Sequence, residues 1–473
     1  MKLTDLNSAQ DIGANSLLVE IGGLNLLIDA GMHPKKEGLA CLPHLNDLPP
    51  LDYIILTHCH LDHIGALPVV LRKQPGLEIL CSPASAIVAK RILRNSVSVM
   101  LRQRDETGIK EYPLFTYNEL DAVERALHPI PLMRPRTLFP RHAALPDKFQ
   151  PETPPSHPTA ERDNASVNIT LYPAGHVAGA VGVLVEHKHR RIFFTGDVLF
   201  HDQETVPAAQ FPDISLDTLV METTHGATPV DNDITRAGET ARLLETINTT
   251  ITNGGSVLIP VFAFGRMQEI LTILNKARLA NALASCPIYC SGLGVDLVDY
   301  IDQMSRKAGF VNFRRHILQD LRIRPLDRQF TPIGKDLPTK GIYLLSSGML
   351  VENTPAWRVA ANLLEYPKNT LCFVGYCDPE TPGGRLLARK HGDTFLFNSL
   401  DHIAKIRAHI ENFYFSGHAS RDELIAFAKR CDPRAIVLTH GDPPAREWFE
   451  EELATELPSA KVTNPSPKKQ YTV

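Results

Sequence analysis

A chain of 473 residues with 43% hydrophobic and 22% charged side chains has the apolar content to bury two or three cores, which excludes a disordered or staple-dependent class. Its net charge of −4 gives no overall basic footprint, so any contact with nucleic acid has to be local. The eight cysteines (41, 59, 81, 286, 290, 372, 377 and 431) show no C-x-x-C pair or regular spacing, and no stretch reaches the ~20 apolar residues of a membrane span. The expectation is a soluble cytoplasmic protein with no membrane partner.

The first six residues carry no apolar signal core, and the first strand-like run follows at 16–21. Further runs at 24–28, 53–56 and 77–80 are short, apolar and β-branched, and the pattern resumes at 167–171, 181–185 and 191–194. A helix is expected over 83–101, with Ser82 as N-cap and Pro83 at the first helical position, where its missing N–H costs nothing. Nine prolines between 129 and 158 read as an irregular insertion over 129–165.

The strand-like run at 53–56 leads into Thr57-His-Cys-His-Leu-Asp-His63. His58, His60, Asp62 and His63 thus share one tight loop between a buried strand and a helix. Imidazole and carboxylate are ligands that zinc accepts, and an open coordination position lets a water be deprotonated near neutral pH. The implied chemistry is metal-assisted hydrolysis. Alternation along the loop turns Cys59 away from its neighbours, as a packing residue.

From about 224 to 391 helical and strand-like segments alternate (234–248, 256–259, 266–279, 287–289, 342–345), which reads as an inserted α/β domain with a parallel sheet. Between 306 and 328 seven Lys or Arg stand against two Asp, a local balance of +5 that either steers a polyanion or forms a solvated face. After the insertion a strand is expected at 413–415, a helix at 421–429 and a strand at 435–438, before a polar tail over 463–473.

The loop at 57–63 matches the signature His-x-His-x-Asp-His of the metallo-β-lactamase fold. The resemblance continues through Asp29 in Leu-Ile-Asp-Ala-Gly31, His176 in Ala-Gly-His-Val and Asp197 in Phe-Thr-Gly-Asp. Glu222 in Met-Glu-Thr-Thr, His418 in Ser-Gly-His-Ala and His440 in Leu-Thr-His-Gly are similar to motifs A, B and C of the β-CASP ribonucleases. The segments at 259–269, 345–350 and 375–385 resemble that family's internal segments, in its order.

The resemblance implies an α/β fold: a metallo-β-lactamase αββα sandwich (1–223 and 392–462) with an inserted α/β β-CASP cap (224–391). It implies two zinc ions per chain, the first held by His58, His60 and His176, the second by Asp62, His63 and His440, with Asp197 bridging. The metal pair would activate a hydroxide against the phosphodiesters of single-stranded RNA. His418 would be the general acid and Glu222 the carboxylate that holds it protonated. Asp29 either orients a ligand histidine or caps the turn at Gly31. Ser416, Gly417, Ser346 and Ser347 suit a phosphate oxygen. Arg266 either meets phosphate or forms an ion pair between domains. Thr223-Thr-His225 departs from the family's pattern and puts the role of its usual aromatic in doubt, while His440 matches the RNA-type motif C. Exonucleolytic and endonucleolytic cleavage both stay open. Two rival readings are a small thioester or lactone hydrolase, and an idle subunit of an RNA-processing assembly.

Overall fold

The computed structural model describes residues 1–46, 48–141, 166–229, 233–326 and 340–473. Two seven-stranded sheets stack face to face. In the first the spatial order is Gln470–Thr472, Lys2–Asp5, Leu17–Ile21, Leu24–Ile28, Tyr53–Ile55, Glu78–Cys81 and Leu127–Pro129. The second runs Lys461–Thr463, Ala435–Thr439, Thr218–Glu222, Arg190–Phe194, Val181–His187, Val167–Pro173 and Arg136–Leu138.

Strand alternation builds the layers. Leu24, Leu26 and Ile28 point inward against Val181, Val183 and Val185 of the facing sheet, while Leu27 and Leu184 point outward under helices. Because helices cover both outer faces, the strands are apolar on both sides, and the layers are α, β, β, α. The helix Pro83–Thr107 covers one face; Ser82 caps it by accepting from Ser85 N, and Gly108 ends it in the left-handed region at φ 75°. The helix Arg421–Cys431 covers the other.

A third, six-stranded sheet is wholly parallel, in the order Arg324–Pro325, Ile288–Ser291, Ile342–Leu345, Val257–Pro260, Thr370–Phe373 and His409–Asn412. Val257 and Ile259 face the helices Arg266–Leu279 and Val298–Lys307, whereas Leu258 faces Pro355–Leu363 and the fully buried Trp357. Both faces are covered, as a parallel sheet requires. No helix among the described residues is long and apolar enough to cross a membrane.

Three expectations need correction. The apolar run 413–415 is loop: Phe413 and Phe415 are buried, but the ladder ends at Asn412, so burial there comes from packing and not from strand pairing. That last strand extends the third sheet to residue 412. The polar tail contains a strand, Gln470–Thr472, paired antiparallel with Lys2–Thr4; backbone pairing needs no apolar side chain. The start of the proline-rich insertion supplies the edge strand Arg136–Leu138, kept short by Pro135 and Pro140, and residues 142–165 lie outside the described ones.

Candidate active site

Loops leaving strands of both sheets converge on one edge of the sandwich. Thr57 to His63 follows Tyr53–Ile55, His176 follows Val167–Pro173, Asp197 follows Arg190–Phe194, and His440 follows Ala435–Thr439. The chain at 29–31 runs directly beneath the metal-type loop: Ala30 N donates to His63 O at 2.8 Å, and a Cβ at Gly31 would stand 1.7 Å from Asp62 O. Only glycine allows that approach.

Two groups of ligand-type atoms result. In the first, His60 Nδ1 lies 3.1 Å from both His58 Nε2 and His176 Nε2. In the second, Asp62 Oδ2 lies 3.3 Å from His440 Nε2 and 3.7 Å from His63 Nε2. Asp197 stands between them, with Oδ2 3.6 Å from His58 and His176 and Oδ1 3.5 Å from His63.

Each imidazole commits its outer nitrogen elsewhere. His63 Nδ1 donates to Asp29 Oδ2 at 2.7 Å, and His176 Nδ1 donates to Gly417 O at 2.8 Å. His60 Nε2 faces Phe264 O at 3.3 Å. Thr57 and Thr224 spend their hydroxyl protons on Asp29 and Glu222, so they accept from His58 Nδ1 at 3.2 Å and His440 Nδ1 at 2.8 Å. The remaining five nitrogens face inward toward the cluster, the orientation a metal site needs. Tetrahedral zinc with bonds of 2.0 to 2.1 Å separates its nitrogen ligands by about 3.3 Å, near the spacing found.

Electrostatics divide the histidines: burial opposes charge on His63, but the carboxylates of Asp197, Asp29 and Asp62 outweigh it and raise that ring well above the ordinary histidine value. Burial first, and the neighbouring imidazoles after it, hold His58 and His176 well below the ordinary histidine value, so both stay neutral. Burial opposes charge on Asp62, but His63 and His440 outweigh it and bring the carboxyl to about 2. Asp197 Oδ1 is buried with no hydrogen-bond partner among the described residues. An ionised oxygen left that way is costly unless a cation meets it, and the surrounding donor set fits one.

His418 sits on the rim of this cluster. Its Nδ1 donates to Glu222, at 2.9 Å from Oε2 and 3.1 Å from Oε1, and its Nε2 is 4.0 Å from Asp197 Oδ2. Burial disfavours the imidazolium, yet the Glu222 carboxylate outweighs burial and lifts His418 to about 9. Glu222 also accepts from Val198 N at 2.7 Å.

Sequence reasoning missed several supports, because their partners are remote in the chain. Asp29 takes Thr57 N and Thr57 Oγ1, both at 2.7 Å, in addition to His63; no bond runs from it to Gly31, whose N–H goes to Asn15 O. Ser416 Oγ donates to His418 O at 2.8 Å and accepts from His225 Nε2 at 2.8 Å, so this hydroxyl is spent inside the protein. His225 is buried and does not present a ring to solvent. Ser346 and Ser347 end the strand Ile342–Leu345 and make no contact with the histidine–aspartate cluster among the described residues; Ser347 Oγ accepts from Val351 N at 3.0 Å. In the basic stretch, Arg306 pairs with Asp302 at 2.8 Å and Arg315 with Asp299 at 3.3 Å, while Arg328 lies outside the described residues.

Family models place this architecture. The metallo-beta-lactamase superfamily model matches residues 10–249, the Beta-Casp domain model 267–386, and the Zn-dependent metallo-hydrolase RNA specificity domain model 403–463. The chain is 28% identical to the endoribonuclease ysh1 of Schizosaccharomyces pombe, covering 98% of this chain and 57% of that protein. It is 26% identical to the cleavage and polyadenylation specificity factor subunit 3-I of Arabidopsis thaliana, over 98% and 62%. It therefore spans about three fifths of these relatives' length. With the probable RNase MJ4 of Methanocaldococcus jannaschii it shares 25% identity over 93% of each chain. A solved protein of unknown function from Enterococcus faecalis V583 superposes with a TM-score of 0.54 at 12% identity, covering 100% of this chain and 99% of that one, a likeness of fold alone. Three matches in this order along one chain make it a Beta-Casp member of the metallo-beta-lactamase superfamily.

Proposed function

We propose that the protein is a zinc-dependent ribonuclease that hydrolyses phosphodiester bonds of single-stranded RNA. The observation that carries the reading is Asp197, which offers one carboxylate oxygen to each of two ligand groups while His418 stands at their rim against Glu222. His58, His60 and His176 would hold one zinc ion and Asp62, His63 and His440 a second, with Asp197 shared. Bound there, the ions would supply an activated water and neutralise charge on the phosphate.

The remaining steps belong to side chains. Cleaving a phosphodiester expels an alkoxide that needs a proton, and His418 Nε2, charged through its contact with Glu222, is the donor. Asp29 fixes the ring of His63, and Gly417 O fixes that of His176. The RNA path is the cleft between the sandwich and the inserted segment, which we take as 224–391, a range supported by the Beta-Casp match ending at 386 and the RNA specificity match beginning at 403. RNA as substrate is supported by the RNA specificity match over 403–463, which includes His418 and His440. The complete set of seven ligands speaks against an idle subunit. All eight cysteines are unpaired, which supports a reducing compartment such as the cytoplasm.

The test is digestion of end-labelled single-stranded RNA, with and without a 5′-phosphate, beside DNA of the same sequence. Cleavage of RNA that stops on chelation and returns with zinc is expected. Hydrolysis of small thioesters or lactones without RNA cleavage would replace this reading.

A further inference from the structure

Arg266 is the first residue of the helix Arg266–Leu279, which starts at the cleft. Two residues before it, Phe264 O faces His60, and a Cβ on Gly265 would meet Val177 at 2.8 Å. The cap backbone is thus pressed against the loop that carries His176. The Arg266 side chain is only 9% exposed and runs between Gly375 and Gly417. A Cβ on Gly375 would stand 3.9 Å from Arg266 Nε, and one on Gly417 would stand 3.5 Å from Nη2 and 3.2 Å from His176 Nδ1. Glycine at both places keeps a side chain from packing against the guanidinium.

Among the described residues no acceptor reaches Arg266 Nη1, which is buried, and no ion pair to Arg266 is found. Glu269, one turn along the same helix, is already committed. It pairs with Arg236 at 2.9 Å and accepts from Glu204 N at 3.0 Å, Thr205 N at 3.1 Å and Thr205 Oγ1 at 3.2 Å. The ion pair between elements that the sequence allowed for Arg266 is therefore made by Arg236. Burial, and then the nearby Arg236 charge, bring Arg266 down to about 9, which still leaves it cationic at neutral pH. The Glu269 carboxylate opposes part of that fall without bonding to Arg266, and a buried guanidinium nitrogen without an acceptor is costly unless a ligand brings one.

We propose that Arg266 is a phosphate-binding residue that holds the RNA phosphate adjoining the scissile one. The metal-type cluster and His418 take the scissile group, and Gly417 separates Arg266 from that cluster by one residue's width. A guanidinium presents a fork of donors that matches two phosphate oxygens. This inference rests on the ribonuclease reading above.

The experiment compares wild type, Arg266→Met and Arg266→Lys, each loaded with zinc, on a single-stranded oligoribonucleotide and on bis(p-nitrophenyl) phosphate, which has one phosphate only. Arg266→Met is expected to lose about 10- to 100-fold in kcat/KM on RNA, mainly through KM, and at least tenfold more than it loses on the ester. The salt slope of RNA binding should fall by about 0.7, as for one phosphate contact on a single strand. Arg266→Lys, with the charge but not the fork, should fall between. The ratio of the two rates on one preparation is independent of any misfolded fraction. Equal losses on both substrates, or an RNA rate that does not change, would overturn the inference and leave the ribonuclease reading intact. A wild type that hydrolyses the ester and neither binds nor cleaves RNA would overturn both.

Discussion

His418 Nδ1 lies 2.9 Å from Glu222 Oε2, while its other ring nitrogen points at the cluster, 4.0 Å from Asp197 Oδ2. One nitrogen is anchored and charged by a buried carboxylate, and the other faces the reacting centre. That division suits a proton donor and gives the pair a signature in pH.

The sign follows from which form works. A general acid must be protonated, so turnover should hold below the His418 value of about 9 and fall as pH rises through it. Glu222→Gln removes the charge that outweighs burial, so the alkaline limb should move toward lower pH with zinc retained. Rate against pH at saturating RNA measures it; a limb that does not move would detach Glu222 from the proton donor.

Asp29 predicts a change in metal affinity without a change in ligand. It holds His63 Nδ1 at 2.7 Å and is itself fixed by Thr57. Asp29→Ala should weaken zinc by about 10- to 100-fold, the usual effect of losing a carboxylate behind a ligand histidine. Competition with a chelator reads this directly, and unchanged affinity would reduce Asp29 to a turn residue.

Metal content tests the shared carboxylate. Wild type should bind two zinc ions per chain, because seven ligands exceed one tetrahedral site. Asp197→Ala should weaken both, since its oxygens face His58 and His176 on one side and His63 on the other. Full activity with one ion or none would end the two-metal scheme.

The legible part of this site is what the chain places together. His58, His60, Asp62 and His63 lie within one loop, and the apolar run 53–56 before it contains the buried strand Tyr53–Ile55. Strand and helix positions were readable because both sheets of the sandwich are covered, so apolar runs mark them plainly. What was hidden depends on partners far along the chain. By sequence Ser416 suits a phosphate oxygen, but its hydroxyl accepts from His225, 191 positions away. Whether Arg266 or Arg236 pairs with Glu269 is decided by the crossing of loops, which periodicity does not report. The strand at 470–472 is defined by backbone pairing with 2–4, which its polar side chains do not announce, and the run at 413–415 is apolar because Phe413 and Phe415 are buried, beyond the strand that ends at Asn412.

The most direct measurement is the turnover of His418→Ala, at full zinc occupancy, on ordinary RNA and on a substrate whose leaving group needs no proton. The account predicts two bound zinc ions, a loss of about 10²- to 10⁴-fold on RNA and recovery of much of that loss on the activated substrate. His440→Ala should instead lose one zinc ion and show no recovery. If His418→Ala lost zinc, or cleaved the activated substrate no better than RNA, His418 would not be the proton donor and the assignment of roles at this site would be wrong.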